Sequence, residues 1–113
     1  MENKIKEKVK KIVKYISKEI KPRRIILFGS RAKEENRYSS DIDLAVDIKN
    51  KIDHRTKRKI KEEIDKIAGI YSVDIVYFYD IDEDFKNLIN STGIVIYDKR
   101  RGCFGNKKIK KSS

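Results

Sequence analysis

Hydrophobic residues recur along this chain with two different periods. Over residues 2–20, Ile5, Val9, Ile12, Val13, Ile16 and Ile20 fall three or four positions apart, with Lys and Glu filling the face between them. That spacing predicts an amphipathic helix, and Pro22 marks its end. The same period returns over 53–68 at Ile60, Ile64 and Ile67, with Gly69 placed to cap the C-terminus. Residues 24–28 form a short apolar run stopped by Gly29 and Ser30, and 41–48 opens with acidic and apolar residues in strict alternation. Both read as strands. A third strand fits 73–79, the acidic stretch 80–84 opens a short helix carrying Phe85, Leu88 and Ile89, and Gly93 precedes a last strand at 94–97. Residues 30–40 read as a short helical turn and a polar loop. The order α-β-(α)-β-α-β-α-β predicts a mixed α/β (α+β) domain over residues 1–98, with a mixed sheet flanked by helices. Residues 99–113 read as a basic, mobile tail.

The 113 residues suit one domain and leave no room for a separate acceptor-binding domain. A lone Cys103 excludes an internal disulfide framework and a Cys-rich zinc site. No apolar run approaches the roughly 18 residues of a membrane span, and the first residues lack a signal-peptide core, so a soluble cytoplasmic protein without a membrane partner is expected.

Charge changes the picture. The net +11 arises from 29 Lys and Arg against 18 Asp and Glu, and it is unevenly spread. Residues 1–24, 49–69 and 99–113 carry +7, +4 and +7, whereas 25–48 and 70–98 carry −2 and −5. The basic faces allow weak, non-specific contact with nucleic acid through phosphates, but no base-reading motif accompanies them. The acids concentrate in the segments that read as strands, which suits a site for metal ions and an anionic ligand.

The candidate chemistry lies in Phe28-Gly29-Ser30-Arg31 and, ten residues after Ser30, Ser40-Asp41-Ile42-Asp43. A glycine at a strand end lets backbone N–H groups and the Ser30 hydroxyl approach phosphate oxygens. Asp41 and Asp43, two apart in a strand, point to one face about 6–7 Å apart. Asp74 interrupts an apolar strand, where a carboxylate is costly unless it is paired or metal-bound. If its strand lies beside 41–48, Asp74 faces Asp43, and three acids so crowded call for a divalent cation. The Asp80, Asp82 and Asp84 cluster repeats the Asp-x-Asp spacing but reads as a helix start. His54 and Cys103 read as exposed, and Tyr15, Tyr71, Tyr77, Tyr79 and Tyr97 as core edges or strand faces.

This pattern resembles the minimal nucleotidyltransferase family of the DNA polymerase β-like superfamily, whose hallmark is hydrophobic-Gly-Ser, a spacer of about ten residues, Asp-x-Asp and a third acid in a later strand. The longer string over 28–46 is similar to the MntA-type antitoxin branch, whose partners are HEPN-domain RNase toxins; Glu34 departs from the Gly common in relatives. The resemblance implies a polymerase β-like fold and a protein adenylyltransferase that moves AMP from ATP to a tyrosine of its cognate toxin. It also implies two Mg²⁺ ions held by Asp41, Asp43 and Asp74, phosphates held by Gly29 and Ser30, and Arg31 stabilising charge. The same residues leave two alternatives: an antitoxin acting by occlusion alone, or transfer to a small molecule.

Overall fold

The computed structural model describes residues 3–28, 41–100 and 102–103. Helix α1 spans Asn3–Glu19, strand β1 Arg24–Phe28, β2 Asp41–Asp47, helix α2 His54–Ala68 and β3 Ser72–Tyr77. A 3₁₀ turn at Phe78–Asp80 leads to helix α3, Glu83–Thr92, then to β4, Ile94–Asp98, and β5, Gly102–Cys103. The strands form one sheet in the order β3-β2-β1-β4-β5. Only the β2–β3 pair is parallel. Its crossover is α2, which carries the chain back so that β2 and β3 begin at the same end of the sheet.

The sheet's two faces follow from the alternation. Ile25 and Leu27 of β1, Ile42, Leu44 and Val46 of β2, and Val73 of β3 face one way. They meet Val9, Ile12, Val13 and Ile16 of α1 and Ile60, Ile64 and Ala68 of α2, all buried. At about 1.5–3 kcal/mol for each large aliphatic side chain fully buried, this layer supplies most of the apolar stabilisation. The opposite face carries a smaller cluster of Ile26, Ala45, Phe78 and Ile89, covered by α3. Asp43 shares this second face with Ala45 by the two-residue period.

Local chemistry sets the helix ends, with Gly69 as the cap that the sequence reading expects. Asp53 caps α2 by accepting from the Thr56 N–H at 2.8 Å. Gly69 ends that helix at φ 68°, a conformation costly for any residue with a Cβ, and its N–H donates to the Asp65 carbonyl. Asp82 caps α3 by accepting from the Phe85 N–H at 2.8 Å, with Glu83 and Asp84 in the first turn. At the far end of the sheet the buried Asp47 accepts from Arg23 at 3.1 Å and from Arg24 Nε at 3.1 Å, tying the start of β1 to the end of β2.

Three details depart from the expected pattern. The third strand stops at Tyr77: Phe78 turns into the smaller core cluster, while the Tyr79 hydroxyl accepts from the Ile52 N–H at 3.0 Å. Leu88 is 55% exposed on the outer face of α3, where only Ile89 is fully buried. In the segment expected to be a tail, Gly102 and Cys103 pair with Asp98 and Tyr97 as the edge strand β5. The residues beyond 103 and the helical turn expected within 30–40 lie outside the described residues.

Candidate active site

Because β2 and β3 run parallel from the same end, their early residues come side by side. Asp43 is in register with Asp74 across this pair, as the sequence reading requires of neighbouring strands. On its other side Asp43 is in register with Phe28, the last residue of β1. The Phe28 and Phe85 rings meet edge to face at 5.9 Å, bringing α3 up to this corner of the sheet. Asp43 is half-buried and Asp74 exposed. Both line an open cavity of about 670 Å³, with Phe28, Phe85, Lys57, Lys61 and Asp80 in its wall.

The cationic side of the cavity comes from α2. Lys57 and Lys61, four residues apart, project from one face of that helix. The Lys57 ammonium lies 2.9 Å from an Asp80 carboxylate oxygen and sits 4.9 Å and 5.1 Å from the ring centres of Tyr77 and Tyr79. Those two rings stack at 5.7 Å. The hydrogen bond to Asp80 raises the Lys57 ammonium above its usual value, against the opposing effect of burial. Burial pushes the Tyr77 hydroxyl up to about 12, so the ring is neutral beneath the ammonium. Lys61 donates to the Val73 carbonyl at 2.8 Å and to Asp65 at 2.9 Å, which pins α2 to the backbone next to Asp74. Three carboxylates and two ammonium groups therefore share one cavity wall.

Of the residues singled out from the sequence, the structure brings Asp43 and Asp74 together. Asp41 opens β2 in register with Ser72, and its side chain lies outside the described residues. Gly29, Ser30 and Arg31 also lie outside them. Among the described residues, no three His, Cys, Asp or Glu side chains converge as a metal-binding group. The sequence reading missed Lys57, Lys61 and Asp80. Lys57 and Lys61 repeat at helical spacing and Asp80 follows the third strand, but only the crossover reveals that they meet. Asp80 also leaves the acidic helix start to which the sequence assigned it, since the cap is Asp82.

Comparison with known proteins agrees with this geometry. Residues 10–102 match the family described as polymerase beta, nucleotidyltransferase. A probable protein adenylyltransferase MntA of Haemophilus influenzae is 30% identical over 98 residues, covering 86% of each chain. The fold is also similar to a mutant MntA–HpeT toxin–antitoxin crystal structure, with a TM-score of 0.62, 25% identity, and coverage of 78% of this chain and 69% of that one. A toxin–antitoxin structure with AMP-PNP superposes at a TM-score of 0.65 with 20% identity, over 79% of this chain and 73% of that one, and shares the fold. With a sheet that sets Asp43 beside Asp74 and a family match over nearly its whole length, the chain belongs to the polymerase β nucleotidyltransferase family and is a nucleotidyltransferase.

Proposed function

We propose that this chain is a protein adenylyltransferase that acts as an antitoxin in the cytoplasm, transferring AMP from ATP to a tyrosine of a cognate HEPN-family RNase toxin. The observation that carries the reading is the Asp43–Asp74 register pair, set in one cavity with Lys57 and Lys61. The 30% identity to a relative named a protein adenylyltransferase supports the reaction, and the likeness to toxin–antitoxin structures supports the partner class. Residues 1–98 form the catalytic domain in this reading.

The donor chemistry suits a hard divalent cation. Asp43 and Asp74 offer carboxylate oxygens on adjacent strands at an open cavity, the oxygen-rich setting Mg²⁺ prefers. Asp41, Asp43 and Asp74 would hold two Mg²⁺ ions, which supply charge neutralisation at the phosphates. Gly29 and Ser30 hold phosphate oxygens and Arg31 stabilises charge. The exposed Asp74 accepts the proton of the attacking tyrosine hydroxyl. The tyrosine oxygen bonds to the α-phosphorus, the bridge to the β-phosphate breaks, and pyrophosphate leaves. Lys57, beside the same cavity, favours the anionic substrate.

The test adds ATP radiolabelled at the α-phosphate, with Mg²⁺, to this protein and its candidate HEPN partner, comparing wild type with Asp43→Asn. Label on the partner with wild type alone is expected. A silenced partner that carries no label would replace the reading with inhibition by occlusion.

A further inference from the structure

A second cavity of about 700 Å³ lies at the opposite end of the sheet from Asp43 and Asp74. It is built where three chain segments meet: the turn before β1, the loop after β2 and the turn after β4. Backbone hydrogen bonds fix them together, from the Arg23 N–H to the Asp47 carbonyl and from the Lys99 N–H to the Arg23 carbonyl, both at 2.8 Å. Lys21, Lys49, Lys51 and Lys99 line the cavity over a floor that includes Ile20, Ile48 and Ile52.

The pairing of these lysines is unlike that of four on α2 and α3. Lys57, Lys61, Lys66 and Lys86 each have a carboxylate within 3.3 Å. Among the described residues no carboxylate pairs with Lys21, Lys49, Lys51 or Lys99. The nearby acids are already engaged, Asp53 by the Thr56 N–H and Asp47 by Arg23 and Arg24. Asp53 also lines the cleft but pairs with none of these lysines, so four ammonium groups face one carboxylate, and the excess positive charge favours an anion in their midst.

We propose that this cleft binds the phosphodiester backbone of a single-stranded nucleic acid without reading its sequence. Among the described residues no aromatic side chain lines it, so recognition falls on the phosphates rather than on stacked bases. Its free cations are ammonium groups, mobile point charges suited to phosphates at varied geometry, whereas carboxylates of an acidic peptide are better matched by planar guanidinium forks. Its concave shape admits a flexible strand more readily than a flat bilayer. The cleft lies at the Arg24 end of β1 and the nucleotidyltransferase site at the Phe28 end, and the two linings share no residue.

The test measures binding of the full chain to an oligouridylate roughly a dozen nucleotides long as salt is varied. Wild type is compared with the triple variant Lys49→Gln, Lys51→Gln, Lys99→Gln, all at exposed positions. Each phosphate contact on a single strand contributes about −0.7 to the slope of log affinity against log salt. The triple variant should therefore show a slope shallower by about 2, so the affinity lost between 50 and 200 mM salt shrinks by about 18-fold. Asp43→Asn should leave binding unchanged. An oligothymidylate of equal length tells whether RNA or DNA is the preferred source of the phosphodiester. An unchanged slope in the triple variant would overturn the proposal. So would equal, lysine-dependent binding of an oligoglutamate, or of phosphatidylserine-containing vesicles, since either would make the cleft a site for another class of partner.

Discussion

Asp43 and Asp74 are direct register partners across the parallel pair formed by β2 and β3. Thirty-one residues separate them in sequence, and α2 closes the gap. A parallel pair needs such a crossover, and its length here places both acids at the same end of the sheet, next to the end of β1. The flanking registers, Ile42 with Val73 and Leu44 with Ile75, bury apolar side chains, so a slip of one residue would turn those side chains to the wrong face. The same packing that stabilises the core therefore fixes the spacing of the site.

Replacing either acid should separate catalysis from folding. Asp43→Asn and Asp74→Asn each keep the side-chain volume and leave the buried layer untouched. Transfer of label from ATP should fall by about 10²-fold or more. The urea midpoint should stay within experimental error of wild type, and a variant retaining full transfer would remove that acid from the site.

Lys57→Met keeps the aliphatic stem over Tyr77 and Tyr79 but removes the ammonium that pairs with Asp80. The pair is partly exposed, so stability should change by less than about 1 kcal/mol. If Lys57 serves the anionic substrate in its ground state, KM for ATP should rise about tenfold with kcat little altered. Steady-state kinetics over a range of ATP concentrations would show the split.

Gly93 is constrained by space, since its φ of −84° suits any residue. A Cβ there would lie 2.5 Å from Ile26 Cγ2 and 2.6 Å from the Ile89 carbonyl oxygen. Ile26 is fully buried and the carbonyl belongs to α3, so neither yields easily. Gly93→Ala should cost about 1–3 kcal/mol, read as a lower urea midpoint with an unchanged slope.

Tyr77 predicts a pH response at the alkaline end. Its hydroxyl ionises near 10 in the unfolded chain and is pushed up to about 12 by burial in the fold. A raised value means that the folded state holds the proton more tightly. The stabilisation is complete below pH 10 and is lost as pH rises towards 12. The difference in urea midpoint between wild type and Tyr77→Phe should be constant up to about pH 10 and change above it. A difference independent of pH would show that the hydroxyl ionises as freely as in water.

Asp47 is 8% exposed at its side chain and meets two guanidinium groups, and its loss would leave Arg24 facing the core edge unpaired. Asp47→Ala should destabilise by about 2–3 kcal/mol, well above the effect of removing Glu63 from its exposed pair with Lys66. Thermal unfolding of the two variants in parallel would rank them.

The elements were legible from periodicity because helices and strands announce themselves over a few residues. Val9, Ile12, Val13 and Ile16 form the buried stripe of α1, and Ile60 and Ile64 that of α2, where the spacing puts them. The caps at Asp53, Gly69 and Asp82 obey local hydrogen-bonding rules, and Asp43 and Asp74 stood out as acids inside apolar strands. The edge strand β5 escaped because two residues carry no period. Asp80 was read with the helix start because it is its neighbour in sequence, although its carboxylate meets Lys57 across the cavity.

Local pattern was enough to establish the α/β fold class and the described helices, and to single out Asp43 and Asp74 as candidates, because side-chain period and capping depend on neighbours a turn or a strand away. The tertiary structure decided which strands lie together, that Lys57 and Lys61 share a wall with Asp43 and Asp74, and that Lys21, Lys49, Lys51 and Lys99 converge at the other end of the sheet. Those arrangements join residues far apart in the chain. They exist only once α2 has crossed the sheet and the buried faces have closed, since it is the burial of both faces together that selects one pairing of strands over the others.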